Sequence, residues 1–271
     1  MARKLTNLRR LGIVLVICAS VLLIAHEEWS RAQPRLVMLD IGQGDAIYLR
    51  TPDGQDILID AGSGNRVVEQ LSRELPFSDR TIELAVATHF DADHIGGFKG
   101  VLEQYDVDAF ATNGGTPTTE TGRSLLESIK KEGLEPQTFT TGSKVSGEGF
   151  SMDVVWPPDT KEASNAGSIV MRLVTAKTSA LFTGDADFKV EDALLKKHAQ
   201  IAAEILKVGH HGSKTSSSDN FLAAVGGTRA LISVGATNRY GHPTKEALDR
   251  LIKHGYNIER TDQQGSITVP L

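Results

Sequence analysis

The chain has 271 residues, which is enough for one large domain or two small ones with a substantial core. Its composition, 40% hydrophobic and 23% charged residues with 26 glycines, is that of a globular protein and favours a loop-rich α/β or β-rich fold. The net charge of −5 excludes a generally basic surface, so phosphates would have to be bound by a local basic groove or through metal ions. The only cysteine, Cys18, lies in an N-terminal apolar run, which excludes disulfides, cysteine-based zinc sites and a cysteine nucleophile from the rest of the chain.

Residues 1–33 differ in character from the rest of the chain. Four basic residues are followed by an uncharged, mostly apolar run at 11–25, a pattern typical of a secretory signal peptide or an uncleaved membrane anchor. No convincing cleavage motif of small residues decides between the two. Because basic flanks stay on the cytoplasmic side, both interpretations predict an exported, extracytoplasmic body that is membrane-anchored or secreted. The basic residues are Arg3, Lys4, Arg9 and Arg10.

Residues 34–271 predict one α/β domain, because no repeat, low-complexity tract or linker divides them. Apolar and alternating runs predict strands at 36–41, 46–50, 57–61, 84–87, 108–112, 136–141, 150–156, 168–175, 179–183, 203–208, 230–234 and from 258 onward. Helical periodicity predicts helices at 67–75, 97–104, 122–131, 187–197, 219–225 and 244–254. This order predicts two mixed β-sheets with helices outside them.

The loop after the strand at 84–87 is rich in metal-binding side chains. It places His89, Asp91, Asp93 and His94 within six residues, directly before two glycines. Imidazoles and carboxylates bind divalent metals once they are deprotonated, and this spacing suits two adjacent ions better than one. The alternative is a polar surface loop with an aspartate helix cap.

Three further loops follow apolar strands and carry similar side chains. Asp185 ends the strand at 179–183, and the adjacent His210 and His211 lie between glycines after the strand at 203–208. One of these imidazoles could bind metal while the other binds or protonates substrate. His242 and Arg239 lie in the loop after the strand at 230–234, where the guanidinium could hold a phosphate.

Polar residues near these histidines suit an anionic ligand. The hydroxyl and ammonium groups after His211, together with the amide and guanidinium near His242, form the predicted substrate-binding set Ser213, Lys214, Asn238 and Arg239. Of eight histidines, five lie in three strand-end loops, a distribution that chance would rarely give. These five are His89, His94, His210, His211 and His242.

These motifs resemble those of metallo-β-lactamase-fold hydrolases. The loop at 89–94 resembles the His-x-His-x-Asp-His motif of that superfamily, residues 183–185 its bridging-aspartate motif, and residues 58–62 its first aspartate motif. The resemblance is closest to the hydrolase domain of ComEC-type DNA-uptake proteins and runs from about Leu36 to Val269. Its further motifs are at 40–46, 165–170, 209–213, 238–243 and 260–265. The resemblance implies a four-layer αββα sandwich.

The resemblance also implies a two-metal phosphodiesterase. His89, Asp91 and Asp185 would hold one metal, and Asp93, His94, Asp185 and His211 the other, with Asp185 bridging. His210 or His242 would stabilise the transition state or protonate the leaving group, and Asp93 joins them in the predicted catalytic set. Asp60, Asp45 and Ser168 are expected to support the ligands rather than to bind metal.

The chain departs from the general superfamily pattern in two places. Asp91 replaces the second histidine, as in the uptake-channel group, and no third histidine ligand lies between His94 and Asp185. The first site is therefore rich in oxygen ligands, so manganese (Mn2+) competes with zinc (Zn2+) as the working metal. The expected substrate is a phosphodiester, with single-stranded DNA as one candidate.

Two alternatives remain open: a lactone or ester hydrolase of the same fold, and a non-catalytic binding domain at the membrane. The membrane, through residues 1–33, is the one partner besides the substrate that the sequence indicates, and no protein partner is evident. The membrane domains of a DNA-uptake channel have no counterpart in these residues, so a role in DNA uptake does not follow from the resemblance alone.

Overall fold

Two seven-stranded mixed sheets face each other in the computed structural model, which describes residues 2–76, 79–160 and 162–271. The first sheet has the order β16 (Ile267–Pro270), β1 (Arg35–Met38), β2 (Ile47–Arg50), β3 (Asp56–Ile59), β5 (Leu84–Ala87), β7 (Phe110–Thr112) and β8 (Gln137–Thr138). The second has the order β15 (Asn257–Arg260), β14 (Arg229–Ile232), β13 (Ile205–Lys207), β12 (Ser179–Phe182), β11 (Val170–Thr175), β10 (Phe150–Trp156) and β9 (Lys144–Gly147). A short ribbon pairs β4 (Thr81–Ile82) with β6 (Asp106–Val107).

Helices cover the outer face of each sheet. The first sheet packs against α2 (Arg66–Glu74), α4 (Phe98–Gln104) and α5 (Glu120–Lys131), and the second against α6 (Phe188–Lys196), α7 (Asp219–Val225) and α8 (Lys245–Lys253). Two one-turn helices, α3 (Ala92–Ile95) and α9 (Thr261–Gln264), complete the body. Two 3-10 turns, Asn165–Gly167 and Gly209–Gly212, accompany them.

The alternation of side chains along the strands explains this layering. Leu36 and Met38 of β1 lie in the core between the two sheets, while Val37 and Leu39 pack under the helices of the first sheet. Successive strand residues point to opposite faces, so one apolar run supplies two cores. The predicted four-layer αββα sandwich of two mixed sheets flanked by helices is confirmed.

An N-terminal helix, α1 (Ala2–Arg31), precedes the sandwich. Its segment Ile13–Arg31 is long and apolar enough to cross a membrane by length and composition, and its apolar side chains from Ile13 to Ile24 are exposed. The side chains of Arg3, Lys4, Arg9 and Arg10 lie outside the described part of the structure. Arg35 at the start of β1 donates to the backbone oxygens of Ser30 (3.0 Å) and Arg31 (2.6 Å), which satisfies carbonyls left free at the helix end.

Strand direction brings the predicted site residues to one edge of the sandwich. In the first sheet β3, β5, β7 and β8 run parallel, and in the second β12, β13, β14 and β15 do. The carboxyl ends of parallel strands meet at the same edge of a sheet. The loops after β5, β12, β13 and β14 therefore converge, although they are far apart in sequence.

Candidate metal centre

Three buried imidazoles and one carboxylate converge where the two sheets meet. His94 Nε2 lies 3.2 Å from Asp185 Oδ1, and His211 Nε2 lies 3.6 Å from Asp185 Oδ2. The rings of His89 and His94 are 4.1 Å apart between centroids. Ligand atoms within 4.8 Å of one another form four groups that could hold a cation. Two consist only of predicted ligands, His89–His94–Asp185 and Asp93–His94–His211, and the other two, Asp45–Asp60–His94 and Asp45–Asp185–His211, include Asp45.

Each imidazole is fixed through Nδ1, which leaves Nε2 available. His94 Nδ1 donates to Asp60 Oδ2 at 2.8 Å, and His211 Nδ1 donates to the backbone oxygen of Ser233 at 3.0 Å. His89 Nδ1 lies 2.9 Å from Thr88 Oγ1, whose own hydroxyl donates to Asp60. Carboxylate and carbonyl partners of this kind set the tautomer of metal-binding histidines and orient their rings.

The unused atoms of this cluster fit a divalent metal. The Nε2 atoms of all three histidines and Asp185 Oδ1 are buried and make no hydrogen bond within the described residues. Buried polar atoms are normally paired, and several unpaired acceptors aimed at one point are what a cation requires.

The carboxylates and imidazoles of the site shift one another's protonation. Burial alone would lower the pKa of His94 and His211, but Asp185 and its neighbours raise the pKa of His94 well above its usual value and that of His211 to about 9. Burial and the nearby His94 lower the pKa of His89 to about 3. Despite burial, His94 and His211 hold the pKa of Asp185 well below its usual range.

Asp91 and Asp93 lie at the open side of the cluster. Asp93 Oδ2 is 3.3 Å from His211 Nε2. Burial alone would raise the pKa of this carboxyl, but His211 and His94 have the larger effect and lower it. Asp91 Oδ2 is 3.8 Å from His89 Nε2, and its side chain is 42% exposed. The structure thus brings five of the six predicted metal ligands into these groups, with His94 in three of the four, while Asp91 lies at the edge next to His89.

The supporting residues lie directly behind the ligands. Besides His94, Asp60 accepts from the backbone N–H of Thr88 at 2.8 Å, which joins β3 to the ligand loop. Ser168 Oγ accepts from the backbone N–H of Asp185 at 3.1 Å and lies 3.3 Å from His89 Nδ1. Asp45 Oδ1 is 3.3 Å from His211 Nδ1.

Lys207 is a buried cation that the sequence interpretation does not include. Its ammonium group pairs with Asp45, donates to the backbone oxygen of Gly184 at 2.7 Å and lies 3.8 Å from Asp185 Oδ1. Burial disfavours the ammonium, but Asp45 and Asp185 raise the pKa of Lys207 above its usual value. A lysine in a strand otherwise made of Ile205 and Leu206 is the signal that could have found it.

Local backbone geometry points the side chains of the two adjacent histidines in different directions. His210 and His211 both have positive φ angles, 49° and 53°, a conformation that is uncommon outside glycine and marks functional loops. His211 is buried in the cluster, while the His210 side chain is 30% exposed with Nε2 3.7 Å from Asp185 Oδ2.

A cavity of about 130 Å³ opens over the cluster. His210 and His242 line it beside the ligands, with ring centroids 5.6 Å apart. Burial and the two neighbouring histidines lower the pKa of His242. The cavity is lined by Gln43, Asp91, Asp93, Asp185, His210, His211, Tyr240 and His242.

The four predicted substrate-binding residues lie outside this lining. Ser213 is buried with its hydroxyl 3.0 Å from that of Thr215, and Lys214 is exposed. Asn238 bonds within its own loop, since its amide donates to the oxygens of Gly235 and His242 at 2.8 Å. The Arg239 guanidinium lies 5.5 Å from the Tyr240 ring centroid, so this aromatic residue, absent from the predicted set, connects it to the cavity.

Comparison with known proteins places the chain in the metallo-beta-lactamase superfamily, whose family model matches residues 39–236. The chain belongs to this superfamily of metal-dependent hydrolases, as its ligand loops indicate. The solved structures of the metallo-beta-lactamase fold protein YhfI from Bacillus subtilis (12% identity, TM-score 0.56) and the metallo hydrolase Igni18 from Ignicoccus hospitalis (11%, TM-score 0.58) share the fold. Each match covers 88% of this chain and 99% of the other.

Among curated proteins the chain is similar to ComEC-type competence proteins, as its motifs predict. It is 29% identical to ComE operon protein 3 of Bacillus subtilis over 98% of this chain and 37% of that protein. It is 31% identical to Competence protein ComA of Neisseria gonorrhoeae over 84% of this chain, and 31% identical to Recombination protein 2 of Haemophilus influenzae over 95% of it. The matched region is 31% of each of these two relatives, so the chain spans about a third of their length.

Proposed function

We propose that the chain is a two-metal phosphodiesterase that hydrolyses single-stranded DNA outside the cytoplasmic membrane. The observation that carries this proposal is the convergence of three orphaned Nε2 atoms with the carboxylates of Asp93 and Asp185 under a shallow cavity. A two-ion site suits phosphoryl transfer because it places positive charge next to both the attacking and the leaving oxygen.

Six residues would hold the ions: His89, Asp91, Asp93, His94, Asp185 and His211. Bound divalent ions would acidify water and neutralise charge on the phosphoryl group. With three imidazoles and three carboxylates, the set lacks the thiolate that would favour zinc strongly, so manganese and zinc are the candidate ions.

His210 and His242, which line the cavity beside the ligands, would act on the substrate. His210 is partly exposed near Asp185, so its imidazole can donate to a phosphoryl oxygen or to the leaving oxygen. The lowered pKa of His242, caused by burial and the neighbouring histidines, favours a neutral ring at pH 7 that can accept a proton. Asp93, at the mouth of the cluster, can orient the attacking water.

The choice of DNA rests on the relatives. Proteins named for competence and recombination share this domain at about 30% identity. Arg239, which contacts the cavity-lining Tyr240, and Lys214, three residues after His211, are exposed and can contact phosphates locally, although the chain as a whole is acidic.

The N-terminal helix is proposed to anchor the body at the outer face of the membrane. Arg31 donates to the backbone oxygen of Leu75 at 3.1 Å, and Arg35 pairs with Glu74 at 3.1 Å while it caps the helix. These contacts connect the end of α1 to the body, which favours a retained anchor over a cleaved signal peptide.

The test combines metal content with hydrolysis. Purified protein is assayed on single- and double-stranded DNA and on bis-p-nitrophenyl phosphate, before and after chelation and after addition of Mn2+ or Zn2+. We expect metal-dependent turnover that Asp185→Ala abolishes while the fold persists, because Asp185 contacts both ligand groups. Asp192→Ala, an exposed carboxylate on α6, is the matched control.

Three outcomes would overturn this proposal. Protein that binds neither metal and stays inactive would indicate a binding domain. Turnover of lactones without turnover of phosphodiesters would indicate the ester hydrolase. Activity of Asp185→Ala near that of the parent would contradict the bridging role.

A further inference from the structure

Tyr240 is an exposed aromatic residue at the edge of the metal-binding cavity. Its side chain is 55% exposed, and among the large apolar side chains exposed in the described body it alone lines this cavity. The other two, Phe188 and Ile252, lie on helices of the second sheet. An exposed tyrosine side chain adds little to core packing, so its position next to the metal ligands indicates a role in binding the substrate.

The loop holds Tyr240 in a defined place. Its backbone N–H donates to Asn238 Oδ1 at 3.1 Å, and the same oxygen accepts from the N–H of His242 at 3.0 Å. The Tyr240 ring lies nearly parallel to that of His242, at 24° with centroids 5.9 Å apart. His242 in turn faces His210 and His211, so the aromatic surface continues to the metal cluster.

The chemistry of this surface fits an unstacked nucleobase. Aromatic side chains bind single-stranded nucleic acid by stacking on bases, and arginine guanidinium planes stack in the same way. The exposed contact between Arg239 and the ring is of the weak kind that a base can displace or join. A duplex keeps its bases stacked inside, and a polymer without aromatic groups has nothing to place there.

The charge of the protein makes stacking more important. With a net charge of −5, the chain gains less affinity from phosphate neutralisation than a basic nuclease does. Binding must therefore come largely from the cavity itself. We propose that Tyr240 is a specificity-determining residue that stacks on a nucleobase next to the scissile phosphate and so selects single strands; this inference rests on the proposed phosphodiesterase function.

The experiment compares full-length protein with Tyr240→Ala and Tyr240→Phe. Binding of a labelled oligothymidylate is measured by anisotropy with Ca2+, and hydrolysis of the same oligomer with Mn2+. An oligomer of equal length with abasic residues is the second probe. Phe188→Ala is the matched control, because its ring is also exposed and also carries a guanidinium, that of Arg250, at 5.2 Å.

We expect Tyr240→Ala to weaken oligothymidylate binding by about fivefold to 150-fold, the range for loss of one base–aromatic stack. KM should rise with little change in kcat, Tyr240→Phe should behave like the parent, and the abasic oligomer should be bound equally by all variants. Phe188→Ala should leave both measurements unchanged.

Two results would overturn the stacking role. One is an equal loss on normal and abasic oligomers, and the other is no loss on either. If the parent hydrolyses DNA in those cases, the proposed function stands without the stacking role. If binding depends on Tyr240 and no phosphodiester is hydrolysed, the stacking site stands and the proposed function fails.

Discussion

Lys207 places a positive charge inside a site whose residues otherwise suit cations. The ammonium pairs with Asp45 and lies near Asp185, so in metal-free protein it neutralises part of the carboxylate charge around His94 and His211. A lone charged group is very costly to bury, and this cluster avoids that cost by pairing. Lys207 is therefore expected to preserve the site before metal enters.

We predict that Lys207→Met destabilises the metal-free protein by about 3–5 kcal/mol, the usual cost of removing one partner of a buried pair. Bound Mn2+ supplies positive charge at the same carboxylates, so it should restore part of this loss. Thermal unfolding with and without Mn2+ measures both effects, with Lys245→Met on the exposed face of α8 as control. Equal destabilisation in both conditions would show that Lys207 acts only in packing.

Protonation of the ligands predicts a pH dependence of metal binding. His94 and His211 have raised pKa values in the metal-free site because of Asp185 and other carboxylates, despite burial, and that of His211 is about 9. Metal binds neutral imidazole, so at pH 7 binding must displace protons. Mn2+ affinity should therefore increase from about pH 6.5 to 9, where calorimetry in buffers of different ionisation enthalpy counts the protons released.

Stability of the metal-free protein should change in the opposite direction. An imidazole whose pKa is higher in the folded than in the unfolded protein stabilises the fold while it is protonated. This stabilisation is complete below the pKa of the unfolded state, about 6.5, and is lost as the pH rises through the pKa of the folded state. For His211 that loss falls between about pH 6.5 and about 9. Chelated protein whose unfolding temperature rose over this range would contradict the assignment.

Among the elements, those defined by local sequence were predictable. The apolar run at 84–87 forms β5 as predicted, and the alternating run at 150–156 forms β10 with alternate residues buried. The prediction for 136–141 is too long, since only Gln137–Thr138 pairs as β8. β9 (Lys144–Gly147) is absent from the prediction because its exposed, polar residues give no apolar signal.

The residues of the candidate site also fall into those that the sequence predicts and those that only the structure identifies. Histidines and aspartates at strand ends are visible in sequence because few structural roles explain them there. Lys207 and Asp45 are 162 positions apart and belong to different sheets, so only the packing of one sheet against the other brings them together. Tyr240 required the structure because its exposure and its stacking on His242 depend on the loop conformation.

The loop between β1 and β2 contacts the ligand helix α3 through backbone atoms. A Cβ at Gly44, where φ is 116°, would lie 1.9 Å from the backbone oxygen of Asp93. Asp45 N–H donates to the same oxygen at 3.1 Å, and Ser233 donates to the Gly44 oxygen at 2.6 Å. Gly44 therefore allows the close approach of two elements that together position Asp93.

We predict that Gly44→Ala weakens Mn2+ binding by about 10- to 100-fold although it removes no ligand, because displaced supporting groups have effects of this size. Gly54→Ala is the matched control: its φ is 86°, and its nearest neighbouring atom would be 3.9 Å away. The control carries the backbone strain without the clash. Isothermal titration measures the difference, and equal affinities for the two variants would show that α3 tolerates the displacement.

At the scale of the molecule, the apolar cores of the sandwich lie apart from the described part of the N-terminal helix. All three apolar cores begin at or after Leu36, and none includes a side chain of α1 from the described stretch after residue 12. The described contacts between the helix and the body are polar ones at its end, such as those of Arg31 and Arg35. The predicted division at residues 33 and 34 thus falls where packing interactions are sparse.

We predict that a protein of residues 34–271 folds, binds Mn2+ with the affinity of the full chain and leaves the membrane fraction. It keeps every ligand and every core residue, and it loses the exposed apolar helix, the carbonyls that Arg35 caps and the hydrogen bond from Arg31 to Leu75. Full-length protein in detergent is the reference for Mn2+ titration and thermal unfolding, and fractionation of cells that express each form measures membrane attachment. A truncated protein that aggregates or loses metal binding would show that the helix is part of the folding unit. One that folds but stays with the membrane would place a second attachment surface on the sandwich itself.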